Sequence, residues 1–383
     1  MRCKFLRSRK VSFKKIEKLW KDNKAPIQLY IHSPFCKTHC KFCIYNGGIF
    51  CSSKDKDLYN NYFNTYLPNQ IDKYSEIIHT QNIHGIYFGG GTSNIEEDLA
   101  SLNPVFERTR DIDCVERTIE LHFGLPITDK TIEKLAQEKI NTVILCIQTL
   151  DEAKTKEQCR PICKDNNLDE IIGKLHKKNI NVGIDLIIFK DGNFNRIAED
   201  IEKFMSLENK PDTITASYEI DLVSISYKSY EFLTDEIKNK ILCLAGSYYK
   251  MRFKHNCIDF VAPDKADIFE DSFYSFRRYE AAEPSYITPL IGIGSLRSEG
   301  HRSYSRIGPY VYLENYNKGN PDYTLYKIPP AKRYIKRAIR RLKIDPVMYQ
   351  TSYIELKLRY NSPEHTKEYK ITEPSVMIKY KKY

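Results

Sequence analysis

The sequence predicts an α/β fold: a partial (β/α)6 barrel of the TIM type followed by an α+β C-terminal region. Two observations predict it. Between about residues 27 and 223, short β-rich apolar runs alternate with helix-like segments, the pattern of a parallel sheet joined by right-handed crossovers. Polar and reactive residues also stand at the ends of those runs, where such folds collect their chemistry.

The predicted strands are Gln28–His32, Ile83–Phe88, Thr118–Phe123, Thr142–Gln148, Val182–Phe189 and Thr213–Tyr218. Each is short, apolar and rich in β-branched or aromatic residues. The predicted helices are Asp57–Ile78, Ile95–Arg110, Thr128–Lys139, Asn167–Lys178 and Asn195–Leu207, with apolar residues three and four apart. Thr128, followed by Ile132, Leu135 and Ala136, reads as the cap of an amphipathic helix. His32 and cysteines follow strand one, glycines and Thr92 follow strand two, and Glu120 lies in strand three. Gln148 ends strand four, Asp185 lies in strand five, and Tyr218 and Glu219 end strand six. Before the barrel, Val11–Lys21 is expected to be a short amphipathic helix with Ile16, Leu19 and Trp20 on one side. Beyond Val223 the pattern loosens: Ser224–Met251 reads as helical, Arg252–Arg306 is aromatic and charged, and Ile328–Tyr383 is basic. The expected division is residues 1–24 as an N-terminal arm, 25–225 as the barrel, 226–327 as a capping domain and 328–383 as an appendix.

With 383 residues, 41% hydrophobic and 12% aromatic, the chain can bury one large core or two ordinary ones. That excludes a disordered tail, a collagen-like fibre and a disulfide miniprotein. Eleven cysteines, an odd number spread along the chain, suggest free thiols and some metal binding in a reducing compartment, so a cytoplasmic setting is expected. No run is apolar enough to span a bilayer, and no apolar stretch follows the basic Met1–Lys15 as a secretory signal requires. The net charge of +10 concentrates in Lys332–Lys343, which reads as a solvated helix face rather than a nucleic-acid surface.

Directly after strand one comes Cys36-Lys-Thr-His-Cys40-Lys-Phe-Cys43. Three thiolates on one loop can hold three irons of a [4Fe–4S] cube and leave the fourth without a protein ligand. A structural zinc is the alternative, with His39 or His32 as fourth ligand. After strand two, Tyr87-Phe-Gly-Gly-Gly-Thr92 allows backbone to approach a ligand closely, as an ordinary tight turn also does. It is not a Walker loop, because no GK[ST] follows. Cys159-Arg-Pro-Ile-Cys163 has metal spacing but no further pair to complete a site, so free thiols are expected there.

The string Tyr30-Ile-His-Ser-Pro-Phe-Cys36, then Cys40, Phe42-Cys43 and Gly89-Gly-Gly-Thr92, resembles radical S-adenosylmethionine (SAM) enzymes. Within them it is similar to the branch of the oxygen-independent coproporphyrinogen III oxidase. Glu120 in IELHFGLP sits where that branch has the Glu of EANP, Ile147-Gln148-Thr149 matches its VQS, and Arg160 matches its next Arg. Asp185 in GIDLII matches its DLI strand, and Ile291-Gly-Ile-Gly294 its late GxG segment, so the resemblance runs from about Pro26 to Gly300. The resemblance implies that Cys36, Cys40 and Cys43 ligate a [4Fe–4S] cluster whose open iron SAM chelates. It implies that Gly89, Gly90, Gly91 and Thr92 meet the methionine of SAM, that Phe42 lies near the adenine, and that Glu120, Gln148, Arg160 and Asp185 bind SAM further along. Reductive cleavage of SAM to a 5′-deoxyadenosyl radical would follow, with a low-potential donor such as flavodoxin or ferredoxin, and with one SAM molecule or two.

The departures lie on the substrate side. No further cysteine follows Cys43 directly, the Asn-Pro of EANP is replaced within Leu121-His-Phe-Gly124, and Phe189-Lys-Asp-Gly192 stands for the usual YGLP. The oxidase's aromatic arm and the HNxxYW segment of haem-chaperone relatives are both missing. The expected activity is therefore modification of a small molecule by methyl or methylene transfer, other radical alkylation or rearrangement. Arg277, Arg278, Arg297 and Arg302 would suit an anionic substrate. Oxidase-type decarboxylation and a non-catalytic haem chaperone are the alternatives.

Overall fold

A computed structural model of the chain describes residues 8–23, 27–43, 48–49, 53–189, 191, 193, 195–219, 235–253, 257–262, 290–291, 295–297, 300–307, 310–317, 320–327, 367–372 and 377–382. Six parallel strands form its centre: β1 (Ile27–Ser33), β2 (Ile83–Gly90), β3 (Glu116–His122), β4 (Thr142–Gln148), β5 (Asn181–Ile188) and β6 (Thr213–Tyr218). Each pairs with its neighbour in sequence, so the order along the sheet is the order along the chain. β7 (Lys250–Phe253) and β8 (Cys257–Val261) extend the β6 edge antiparallel, and β9 (Leu290–Ile291) lies parallel to β1 at the other edge. The result is a nine-stranded, open, mostly parallel sheet of the predicted α/β class.

Helices return the chain between strands. They are α1 (Phe13–Lys21), α2 (Ser53–Asn61), α3 (Leu67–Ile78), α4 (Asn103–Thr109), α5 (Asp129–Gln137), α6 (Glu152–Glu157), α7 (Leu168–Lys177), α8 (Asn195–Ser206) and α9 (Asp235–Ala245). Their starts are written in the sequence. The Thr128 hydroxyl accepts from Thr131 N–H and the Thr131 hydroxyl accepts from Thr128 N–H, a reciprocal cap for α5. Asp151 and Asn167 cap α6 and α7 by accepting from Lys154 N–H and Glu170 N–H. Alternate strand residues such as Ile119, Leu121, Val143, Leu145, Ile184 and Ile214 pack outward against Leu135, Ile172, Leu175, Ile201 and Phe204 of the helices. The other face of the strands is left for polar groups.

Two expectations change. The N-terminal helix forms over Phe13–Lys21 with Ile16, Leu19 and Trp20 buried, but a strand, Ser8–Val11, precedes it. That strand pairs antiparallel with Asn320–Lys327 in a second sheet, with Tyr310–Asn317, Gly300–Ile307 and Ser295–Arg297 beyond. Residues 224–251 are not one helix: α9 ends at Ala245 and Lys250 already belongs to β7. Arg277, Arg278, Gly292–Gly294 and the basic run Lys332–Lys343 lie outside the described residues. Among the described residues no helix is long and apolar enough to cross a membrane.

Candidate active site

Leaving β1, the chain makes a short strand, Phe35–Cys36, that pairs with Gly48–Ile49. The glycine segment ending β2 is stitched onto this stretch. Gly91 N–H donates to the Ser33 carbonyl at 2.6 Å and Thr92 N–H to the Phe35 carbonyl at 2.7 Å. Gly91 is there because nothing larger fits: a Cβ would stand 2.1 Å from the Phe35 oxygen and 3.0 Å from Cys36 Sγ. Gly90 adopts φ +115°, open to glycine but costly for other residues, and its N–H donates to Glu120 Oε2 at 3.2 Å.

The three thiols share one electrostatic neighbourhood. Burial, joined by Cys43 and Cys40, pushes the Cys36 thiol up to about 11 against the downward pull of Arg160 and of the Thr92 hydroxyl, which donates to its sulfur. Thiols held this way become thiolates when a metal supplies the positive charge. Arg160 reaches the same loop from beyond β4: Nη1 donates to Cys40 Sγ at 3.5 Å and Nη2 to the Cys146 carbonyl. Lys41 N–H donates to the Gln158 carbonyl at 3.1 Å, so loops after β1 and β4 are tied together. Phe42 turns elsewhere, its ring edge-on to Phe189 at 5.9 Å.

Between β2 and β3, Tyr87 Oη donates to Glu120 Oε1 at 2.5 Å. Burial and the nearby Glu120 and Asp185 carboxylates hold the Tyr87 phenol well above its usual range. Tyr30 stacks on Tyr87 at 5.6 Å. Glu120, Asp185 and Tyr87 thus gather from strands β3, β5 and β2. Gln148 closes β4 at φ +73°, where a register shift against β5 marks a bulge. Bulges next to functional sites re-aim a side chain.

Of the residues singled out by the sequence, Cys36, Cys40, Cys43, Gly91, Thr92 and Arg160 lie together, and Gly89, Gly90, Glu120 and Asp185 adjoin them. A Cβ on Gly89 would meet Tyr87 at 2.6 Å and Glu120 Oε2 at 2.9 Å. Gln148 stands at the carboxyl end of β4 and Phe42 on the cysteine loop. Sequence reasoning missed Tyr87 as the partner of Glu120, and missed Asn94, which binds both backbone groups of His122. A tyrosine two residues before the glycines was the available signal for the first.

This donor set suits a four-iron cube, in which each thiolate holds its own iron and the sulfurs need not converge. Among the described residues no three His, Cys, Asp or Glu converge to hold one metal ion, and His39 is exposed. Cys159 and Cys163 form no disulfide.

Residues 30–204 match the family model described as Radical SAM superfamily. The matched stretch, a little under half of the chain, is similar to radical SAM domains. The cofactors of that superfamily are a [4Fe–4S] cluster and SAM. The chain is 26% identical over 188 residues to heme chaperone HemW of Lactococcus lactis subsp. lactis (strain IL1403), covering 48% of this chain and 47% of that one. It is 34% identical over 140 residues to anaerobilin synthase of Escherichia coli O157:H7, covering 34% of this chain and 29% of that one. The chain thus spans less than half the length of these curated relatives. Its fold is that of coproporphyrinogen III oxidase (HemN) from Escherichia coli, a radical SAM enzyme, at TM-score 0.61 and 15% identity, covering 92% of this chain and 83% of that one.

Proposed function

We propose that this protein cleaves SAM reductively at a [4Fe–4S] cluster held by Cys36, Cys40 and Cys43, and modifies a small-molecule substrate. The observation that carries this reading is the close fit of Gly91 and Thr92 against the cysteine loop, which brings a SAM-type glycine segment onto three clustered thiols. When bound, the cluster supplies the electron that splits the sulfonium of SAM into methionine and a hydrogen-abstracting 5′-deoxyadenosyl radical.

The chain's own residues prepare that chemistry. Thr92 and Arg160 donate to the sulfurs of Cys36 and Cys40, steadying their thiolate forms. The segment Gly89–Thr92 would meet the methionine moiety, while Glu120, Gln148 and Asp185 would accept from its ammonium and the ribose hydroxyls. Phe42 would offer its backbone near the adenine. Tyr87 and Gly90 hold Glu120 in place by donating to its two oxygens. The reaction we favour is methyl or methylene transfer, another radical alkylation or a rearrangement on an anionic substrate, in a reducing compartment and with a flavodoxin- or ferredoxin-like donor.

A second reading, haem handling without turnover, is favoured by the similarity to heme chaperone HemW. Anaerobic reconstitution with iron and sulfide tests the first. Wild type is expected to turn brown with about four irons per chain, while Cys36→Ala, Cys40→Ala and Cys43→Ala each lose most of that iron. Full loading of all three variants contradicts the assignment. Tight hemin binding without any SAM cleavage selects the second reading.

A further inference from the structure

His122 ends β3, two residues after Glu120. Its backbone is pinned on both sides by one residue: its N–H donates to Asn94 Oδ1 at 2.8 Å, and its carbonyl accepts from Asn94 Nδ2 at 3.2 Å. Its ring is pinned too. Gly124 N–H donates to His122 Nδ1 at 3.0 Å. A ring nitrogen that accepts carries no proton, so the neutral imidazole keeps its hydrogen on Nε2. Burial and the positive charge of Arg160 hold the ring well below its ordinary pKa, which keeps it neutral.

That Nε2–H is buried and has no partner among the described residues. Leaving a buried donor unmade costs about 1–3 kcal/mol, and native structures leave few of them. The turn that sets the tautomer is also fixed: a Cβ on Gly124 would stand 1.9 Å from the Pro161 carbonyl oxygen, so this turn presses on the residue next to Arg160. In the strand register His122 lies opposite Cys146, whose carbonyl accepts from Arg160. The neutral ring and the Arg160 guanidinium therefore lie near each other at the carboxyl ends of β3 and β4, with Arg160 beside the sulfur of Cys40.

A ligand for this corner must bring an acceptor, and the guanidinium selects one that is negatively charged. We propose that His122, through its Nε2–H and alongside Arg160, binds the methionyl carboxylate of SAM. The proposal rests on the radical SAM reading of the site. A carboxylate on the substrate would present the same chemistry, but the corner adjoins the cysteine loop and the glycine segment, and the carboxylate is the one anionic group that SAM carries.

The test is anaerobic calorimetric titration of the reconstituted protein, without substrate, using SAM and its decarboxylated analogue. His122→Phe keeps the bulk of the ring and removes the donor, whereas His122→Gln keeps an N–H at a similar reach. We expect His122→Phe to bind SAM about tenfold or more weakly, to bind the decarboxylated analogue as wild type does, and to keep its iron content. His122→Gln should recover most of the SAM affinity, which also answers the case in which the Phe variant folds poorly. Unchanged SAM affinity in His122→Phe, with wild type binding SAM, overturns this inference alone and assigns the corner to a substrate carboxylate or to neither. Equal losses for SAM and the analogue overturn it as well, because they indicate a purely structural role. A wild type that binds iron but no SAM overturns both this inference and the reading beneath it.

Discussion

At Gly91 an added methyl would meet the carbonyl of Phe35 and the sulfur of Cys36 at once. Relief by side-chain rotation is impossible against backbone, so the cysteine loop itself must move. Gly91→Ala is expected to destabilise the protein by about 1–3 kcal/mol, as overpacking does, and to lower iron incorporation relative to wild type. Thermal unfolding and iron content after reconstitution measure the two effects, and wild-type values for both contradict the close-approach account. The neighbouring Gly90 differs in kind: its constraint is φ +115°, a matter of backbone conformation as well as contact. Residue types that chemistry demands, the three cysteines and the glycines, are legible from spacing alone. The partnership of Tyr87 with Glu120 is not, because it joins residues 33 apart across two strands. The fixed tautomer of His122 is hidden for the same reason, since it depends on a backbone N–H presented by the folded turn.

Among the elements, α8 shows how a helix outside the barrel sets geometry at its mouth. Asp200 accepts from the Thr149 hydroxyl at 2.8 Å and from Leu150 N–H at 3.0 Å, holding the turn that follows Gln148 and its unusual φ. Burial raises the Asp200 carboxyl from 3.8 to about 6. The native state therefore holds this proton more tightly than the unfolded chain does. Its contribution to stability is most favourable below about pH 4, declines as pH rises through 6, and is a full cost above that. Asp200→Asn removes the titration, so stability should fall less in the variant than in wild type between pH 4 and 7. Parallel denaturant titrations at several pH values measure the difference, and identical slopes contradict it. Most of the barrel elements were legible, because apolar period and capping residues agree: Thr142–Gln148 and Thr213–Tyr218 form as expected, and Thr128 caps α5. The hairpins over Gly300–Lys327 were not read. Their alternation, as in Tyr310-Val-Tyr-Leu-Glu-Asn-Tyr, interleaves aromatic and polar residues rather than forming the apolar runs of the parallel strands.

For the whole molecule, the sheet order explains why one end carries the chemistry. Parallel strands all point their carboxyl ends the same way, so the cysteine loop, the glycine segment, Glu120, Gln148 and Arg160 must meet there. That end was predictable once six strand–helix units were recognised. The pairing of Ser8–Val11 with Asn320–Lys327 was not, since it brings together segments more than three hundred residues apart. It places Tyr323 against Phe13 of α1 at 5.8 Å, and Phe13 edge-on to Tyr74 of α3 at 5.3 Å, so the second sheet shares the core of the first. The central claim for this assembly is reductive cleavage of SAM. The most direct measurement is 5′-deoxyadenosine formed by the anaerobically reconstituted protein with SAM and dithionite, quantified beside Cys36→Ala. Wild type is expected to form 5′-deoxyadenosine and methionine in equal amounts, and the variant essentially none. Fully loaded wild type that forms no 5′-deoxyadenosine, or a variant that forms it at the wild-type rate, would contradict it.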